Sequence, residues 1–158
     1  MKINTYMKKN VISIRSDQSV ADAICLFVAN PIGMLPVIDP NSHLVGILAL
    51  NDILHLVMPD SLDLVGDLDF LHDLGATENM SPTLEEIHQP VANLMSEPIS
   101  AEIDFTLFHA AAIMTKHQIH DLPVVDHRGK LVGLLSHVDV GRGLISRWHT
   151  VSHKSRQI

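Results

Sequence analysis

Leu35-Pro36-Val37-Ile38-Asp39 returns later in the chain as Leu122-Pro123-Val124-Val125-Asp126, changed only at its fourth position. Working outward, Leu44-Val45-Gly46-Ile47-Leu48 returns as Leu131-Val132-Gly133-Leu134-Leu135, and Asp52 returns as Asp139. The spacing is constant at 87 positions (35 to 122, 44 to 131, 52 to 139). The same offset aligns Ser13 to Ile24 with Ser100 to Ala111. Further upstream, Ile3 to Met7 aligns with Val91 to Met95 at 88, so the first copy carries one extra residue near Lys8-Lys9-Asn10. Ordered blocks at a fixed spacing denote one structural unit used twice. Two such units packed together leave clefts between them in which a ligand can sit.

Each copy has the same layout. A short apolar piece opens it, Val11-Ile12-Ser13-Ile14 and then Pro98-Ile99-Ser100-Ala101. A helix follows, capped by Asp17 or Ser19 in the first copy and by Asp104 or Thr106 in the second, where a side-chain oxygen satisfies N–H groups of the first turn. Val20, Ala23, Ile24, Phe27 and Val28 keep helical spacing, as do Leu107, Ala110, Ala111 and Met114. Pro31 and Gly33 break the first helix, and the second ends between His117 and Asp121. The Leu-Pro-Val pentapeptide reads as a short buried strand with proline at its start, where a missing N–H matters least. Polar turns at Asn41-Ser42-His43 and His127-Arg128-Gly129-Lys130 lead into the apolar strands Leu44 to Leu48 and Leu131 to Leu135. A last helix begins near Asp52 and near Asp139. The expected fold is α+β with α/β-like units, β-α-β-β-α twice, and a helical insertion between them.

The boundaries expected are a first repeat over 1–58, an acidic insertion over 59–90, a second repeat over 91–147 and a basic tail over 148–158. In the insertion Leu64, Val65, Leu68, Leu71 and Leu74 keep helical spacing, Gly75 suits a helix C-terminus, and Leu84 to Ile87 suggest a further turn before Pro90. From Pro59 to Asp104 there are eleven acids and no Lys or Arg; after Asp139 there are four Lys or Arg and no acid. The net charge of −7 argues against general nucleic-acid affinity. The basic end (Arg142, Arg147, Lys154, Arg156) has no aromatic interleaving and reads as solvated. With 46% hydrophobic residues and few aromatics, the core is expected to be aliphatic. No apolar run is long enough to span a bilayer and no apolar region follows the N-terminal lysines, so neither a membrane span nor a signal peptide is expected. Cys25 is the single cysteine, which fits a reducing, cytoplasmic setting; aligned with Ala112, it reads as a small buried thiol.

The duplicated set resembles the CBS domain pair, the family named after cystathionine β-synthase. The likeness covers most of the chain outside the insertion and the tail. It implies two units packed by their sheets across a pseudo-twofold axis, and homodimers in which four units form a flat disc. It also implies that the chain senses an adenosine-containing ligand (AMP, ADP, ATP or S-adenosylmethionine) and regulates an enzyme, channel or transporter. The family's ligand signature runs Gly, two apolar residues, Ser or Thr, two residues, Asp. The second copy matches it throughout, from Gly133 through Ser136 to Asp139, whereas the first has Ala49 in place of the hydroxyl before Asp52. Asp139 would accept two hydrogen bonds from a ribose diol, charge-assisted and therefore strong, and Ser136 would add another. Asp52 would form a weaker first site, since one neutral hydrogen bond is worth about 1 kcal/mol. The resemblance adds Ser19 and Thr106 ahead of the first helices, the backbone before each Leu-Pro-Val (Met34; Ile119, His120, Asp121), and Ile12, Ile99, Ser100 and Pro123 flanking a base. Relatives often carry His-Arg toward the phosphates. Here His120 fits, but Asp121 stands where the arginine would be, and Lys8, Lys9 and Lys116 are the substitutes in view.

Three readings follow. The first is a non-catalytic sensor using the second-copy cleft. The second is a ligand-free dimerisation and interaction module, with both aspartates only capping helices. The third is a metal-dependent enzyme, for which His117 with His120 and His149 with His153 have helical ligand spacing but no supporting cysteine or carboxylate motif. No nucleophile elbow, Walker-type loop or dinucleotide fingerprint is present. Gly141-Arg142-Gly143 reads as a helix end rather than a phosphate cradle.

Overall fold

The computed structural model describes residues 1–57 and 81–154. The helix expected around Leu64 to Leu74 lies outside the described residues. Each repeat builds a three-stranded sheet. In the first, β1 (Ile14–Arg15), β2 (Met34–Ile38) and β3 (Leu44–Ala49) lie in that order, with β1 parallel and β3 antiparallel to β2. In the second, β4 (Ala101–Glu102), β5 (Asp121–Val125) and β6 (Leu131–Ser136) repeat the arrangement, with a register irregularity at the equivalent place. The helices are α1 (Val20–Ala29), α2 (Leu50–Leu54), α3 (Leu84–His88), α4 (Leu107–His117) and α5 (His137–Lys154).

The caps choose between the alternatives left open by the sequence. Ser19 caps α1 in a reciprocal box with Asp22, and Thr106 caps α4 by accepting from the His109 N–H. Asp17 is instead paired with the Arg15 guanidinium, which holds its carboxyl below the ordinary range, and Asp104 lies 2.9 Å from His127 Nε2. The terminal Asp of each Leu-Pro-Val pentapeptide organises a turn. Asp39 Oδ1 accepts the Asn41 and His43 N–H groups, both at 2.8 Å, and Asp126 Oδ1 accepts those of Arg128 and Lys130, both at 2.9 Å. These bonds lower the pKa of both carboxyls.

Four expectations change. Pro36 and Pro123 sit third in five-residue strands, not at the start; β1 pairs only with Val37 and Ile38, and β4 only with Val124 and Val125, so each proline has a ladder on one side alone. The opening strands are shorter and later than Val11 to Ile14 and Pro98 to Ala101. Cys25 is exposed, as is Ala112, because Val20, Ala23, Ile24 and Phe27 face the core from the other side of α1. Finally, α5 runs unbroken over His137–Lys154, so Gly141-Arg142-Gly143 lies inside a helix rather than at its end.

The repeats are joined by exchange of their leading segments. Ile3 is fully buried in the core of the second repeat with Leu107, Leu122, Val124 and Leu135, while Val91 is fully buried in the first with Ile14, Val20, Leu35 and Leu48. Backbone bonds follow the same rule. Lys8 and Leu134 bond both ways (2.8 and 2.9 Å), and their counterparts Ser96 and Ile47 do likewise (2.9 and 3.0 Å). Ile3 N–H donates to Phe105 O at 3.0 Å and Val91 N–H to Gln18 O at 2.8 Å. The hairpin turns join as well, Leu44 N–H to Gly129 O and Leu131 N–H to Ser42 O, both at 3.0 Å. Every one of these contacts has its partner with the copies' roles reversed, the pattern of an isologous interface. Glycine makes the approach possible: a Cβ on Gly133 would lie 2.9 Å from Met7 Cγ and 3.2 Å from Lys8 O, and one on Gly46 would overlap Met95.

Candidate functional site

The β5–β6 register sets Asp121 opposite Ser136 and Leu122 opposite Leu135. Because Ala101 registers with Val124, Ser100 and Ile99 just ahead of β4 lie at the same end of the sheet. The His137 N–H donates to His120 O at 2.7 Å and ties the loop before β5 to the first residue of α5. Ile99, Ser100, Ile119, His120, Asp121, Ser136 and Asp139 are thereby brought to one sheet end. Pro123 is the third residue of β5 and buried. Thr106 follows the other end of β4, where its Oγ1 lies 2.9 Å from His109 Nδ1.

Ser136 and Asp139 form a complete capping box at the start of α5. Ser136 Oγ–H donates to Asp139 Oδ2 at 2.6 Å, Ser136 N–H donates to the same oxygen at 3.2 Å, and Asp139 N–H donates to Ser136 Oγ at 3.2 Å. Among the described residues no group bonds Asp139 Oδ1. One carboxylate oxygen is thus fixed by the fold.

Asp139 lines a cavity of about 420 Å³ with Thr5, Tyr6, Arg142, Gly143 and Ser146. Positions 139, 142, 143 and 146 share a face of α5 by helical periodicity. Tyr6 comes from the exchanged leading segment, and a Cβ on Gly143 would lie 3.0 Å from its ring and overlap Leu107, so glycine lets α5 settle against both. A second cavity of about 320 Å³ is lined by Met114, Thr115, Gln118, Ile119, His120 and His137. The His120 and His137 rings meet edge to face with centroids 5.0 Å apart. Thr5, Tyr6, Arg142 and Ser146 escaped the sequence reading. The helical spacing from Asp139 to Ser146 was the available signal, hidden by reading Arg142 as part of a basic tail.

In the first repeat Ala49 N–H donates to Asp52 Oδ2 at 2.7 Å, and Leu50 N–H donates to Gly33 O at 2.9 Å, the counterparts of the second-repeat bonds without the serine hydroxyl. Met34 registers with Ala49, Ile12 is exposed ahead of β1, and Ser19 stands at the far end of β1 as the α1 cap. His117 and His120 do not share a helix, since α4 ends at His117 and Gln118 takes a left-handed conformation (φ 54°); the helical ligand spacing read from the sequence is lost there. Among the described residues no three His, Cys, Asp or Glu side chains form a group able to hold a metal, and no helix is long and apolar enough to cross a membrane. Lys8, Lys9 and Lys116 are exposed.

Two β-α-β-β-α units that exchange their leading segments define a tandem-repeat module, and known proteins share it. The sequence pattern of the CBS domain matches residues 3–59 and 91–145. An uncharacterised protein of Methanocaldococcus jannaschii is 33% identical, with 92% of each chain covered. The structure of CBSX2 of Arabidopsis thaliana in complex with AMP superposes with a TM-score of 0.67 at 27% identity, covering 92% of this chain and 96% of that one. The CBS domain of a bacterial CNNM/CorC family Mg²⁺ transporter in complex with ATP has the same fold, with a TM-score of 0.68 at 15% identity over 92% of this chain and 87% of that one. The chain belongs to the CBS domain family and is a CBS pair.

Proposed function

We propose that this chain is a non-catalytic regulatory CBS pair that binds an adenosine-type ligand (AMP, ADP, ATP or S-adenosylmethionine) in the second repeat. Binding would report to an enzyme, channel or transporter. The observation that carries the reading is the division of labour at Asp139: Oδ2 is held by Ser136, while Oδ1 faces no protein donor among the described residues and the residue lines a cavity. A ribose diol supplies two donors to such a carboxylate, and the bonds are charge-assisted. The AMP complex of CBSX2 supports the ligand class. Ile99, Ser100, Asp121 and Pro123, toward the same sheet end, belong to the same proposal, with Ile119 and His120 lining the second cavity and Thr106 more distant. Asp52, Ser19, Ile12 and Met34 form the weaker counterpart. Regulation requires the ligand to prefer one arrangement of the repeats over another. Thermal unfolding with and without each of the four ligands tests the reading. A ligand at a hundred times its Kd adds about 2.7 kcal/mol, so at least one should raise Tm by several degrees, and no shift with any of them contradicts the proposal.

A second reading has its own support. Phe108 on α4 and Trp148 on α5 are 71% and 67% exposed, an apolar surface on two helices that pack together. We assign this surface to homodimerisation in the cytoplasm. In the ligand-free version of the module it would be the whole function, and the thermal-shift panel separates the two.

A further inference from the structure

The residue that completes the candidate site electrostatically lies on α5 rather than beside the Leu-Pro-Val strand. Asp121 places a carboxylate at the start of β5, next in sequence to His120, which lines the second cavity with His137. On α5, Arg142 lines the Asp139 cavity and is the one lysine or arginine among its lining residues. None of the ion pairs among the described residues includes Arg142. Arg142 is exposed, and Gly143 beside it is closed against Leu107 and Tyr6 on the inner side. Arg142 stands three residues after Asp139, and side chains so related are about 5–6 Å apart at Cβ. That separation is comparable with the span from a ribose diol to its 5′-phosphate. A guanidinium offers a planar fork of donors matched to phosphate oxygens and stays charged at any relevant pH.

We propose that Arg142 is the phosphate-binding residue of this cavity and that the ligand is an anionic adenosine nucleotide, not a cationic sulfonium compound. This rests on the reading of Asp139 as the ribose acceptor and narrows it. The phosphate is held from α5, so the module needs no arginine after His120, and Asp121 is not among the residues that line this cavity. Because the cavity also takes Thr5 and Tyr6 from the exchanged leading segment, a nucleotide bound there would touch both repeats at once.

Isothermal titration of the full chain with adenosine, AMP, S-adenosylmethionine and inorganic phosphate, repeated with Arg142→Gln and Arg142→Lys, tests the proposal. The wild-type protein should bind AMP at least about tenfold tighter than adenosine, as one charge-assisted pair implies, and more tightly than S-adenosylmethionine. Arg142→Gln should bring AMP and adenosine to within about twofold of each other, and Arg142→Lys should fall between. Raising the salt concentration should weaken AMP and leave adenosine alone. An AMP preference that survives Arg142→Gln, or S-adenosylmethionine bound as tightly as AMP, overturns the assignment of Arg142 while leaving the ribose site standing. No binding of any adenosine compound to the wild-type chain overturns both. Inorganic phosphate bound without adenosine affinity overturns the nucleotide and leaves a simple anion site.

Discussion

Asp139 and Asp52 occupy equivalent places and differ by one hydroxyl in their surroundings. Ser136 gives Asp139 two donors on Oδ2, while Ala49 gives Asp52 one. Removing the hydroxyl with Ser136→Ala should destabilise the protein by about 1 kcal/mol, and Ala49→Ser should stabilise it by a similar amount; denaturant unfolding measures both. At this scale the sequence was informative about identity and silent about use. The spacing of Ser136 and Asp139 reads equally as a helix cap and as a ribose acceptor, and the structure has the cap, made through Oδ2 alone. The turn carboxylates carry a separate pH effect. Asp39 and Asp126 have folded pKa values below the ordinary 3.8 because His43 and Lys130 N–H groups bond the ionised forms. A depressed folded pKa means that the unfolded chain binds protons first, so the stabilisation is present above the ordinary value and lost as pH falls through the depressed one. Asp39→Asn and Asp126→Asn should therefore lower Tm at neutral pH and flatten its decline below pH 3.8, measured by calorimetry across that range.

The decisive elements are the leading segments, which pack on the partner repeat. An offset of 88 in the sequence makes Ile3 to Met7 and Val91 to Met95 equivalent, but equivalence says nothing about which core receives them. Both the exchanged and the unexchanged arrangement give the same pattern of apolar residues. Met7 over Gly133 and Met95 over Gly46 fix the exchange physically. Gly133→Ala should force Met7 and the Lys8 carbonyl apart and destabilise the fold by about 1–3 kcal/mol, and Ile3→Ala should remove a buried anchor at about 2–5 kcal/mol. Chemical denaturation of each variant reads the effect. A negligible change for Ile3→Ala contradicts its place in the second core. The helix that carries the site was legible at its start and not at its end, because two glycines in three residues look like a stop. In the structure Gly143 is a contact point instead, and the periodicity from Asp139 through Arg142 to Ser146 continues past it.

For the whole molecule, the two repeats form a single unit held by reciprocal bonds, with separate hydrophobic cores on either side. A ligand in the Asp139 cavity would bridge α5 of the second repeat and the leading segment of the chain, which gives binding a route to the relation between the repeats. The fold was legible from the duplication because repeated strands and helices must bury the same faces twice. The exposed surface was less so, since Phe108 aligns with Ala21 and the repeat alone does not reveal it. Light scattering on the purified chain should give twice the monomer mass of 17.4 kDa, and Phe108→Asp combined with Trp148→Asp should return it to the monomer value. The most direct measurement of the central claim is titration calorimetry of AMP into the wild-type, Asp139→Asn and Asp52→Asn proteins. Asp139→Asn should weaken binding at least about tenfold, the loss of one charge-assisted bond pair, while Asp52→Asn leaves the tighter site unchanged. Equal affinity in the wild-type and Asp139→Asn proteins would contradict the account.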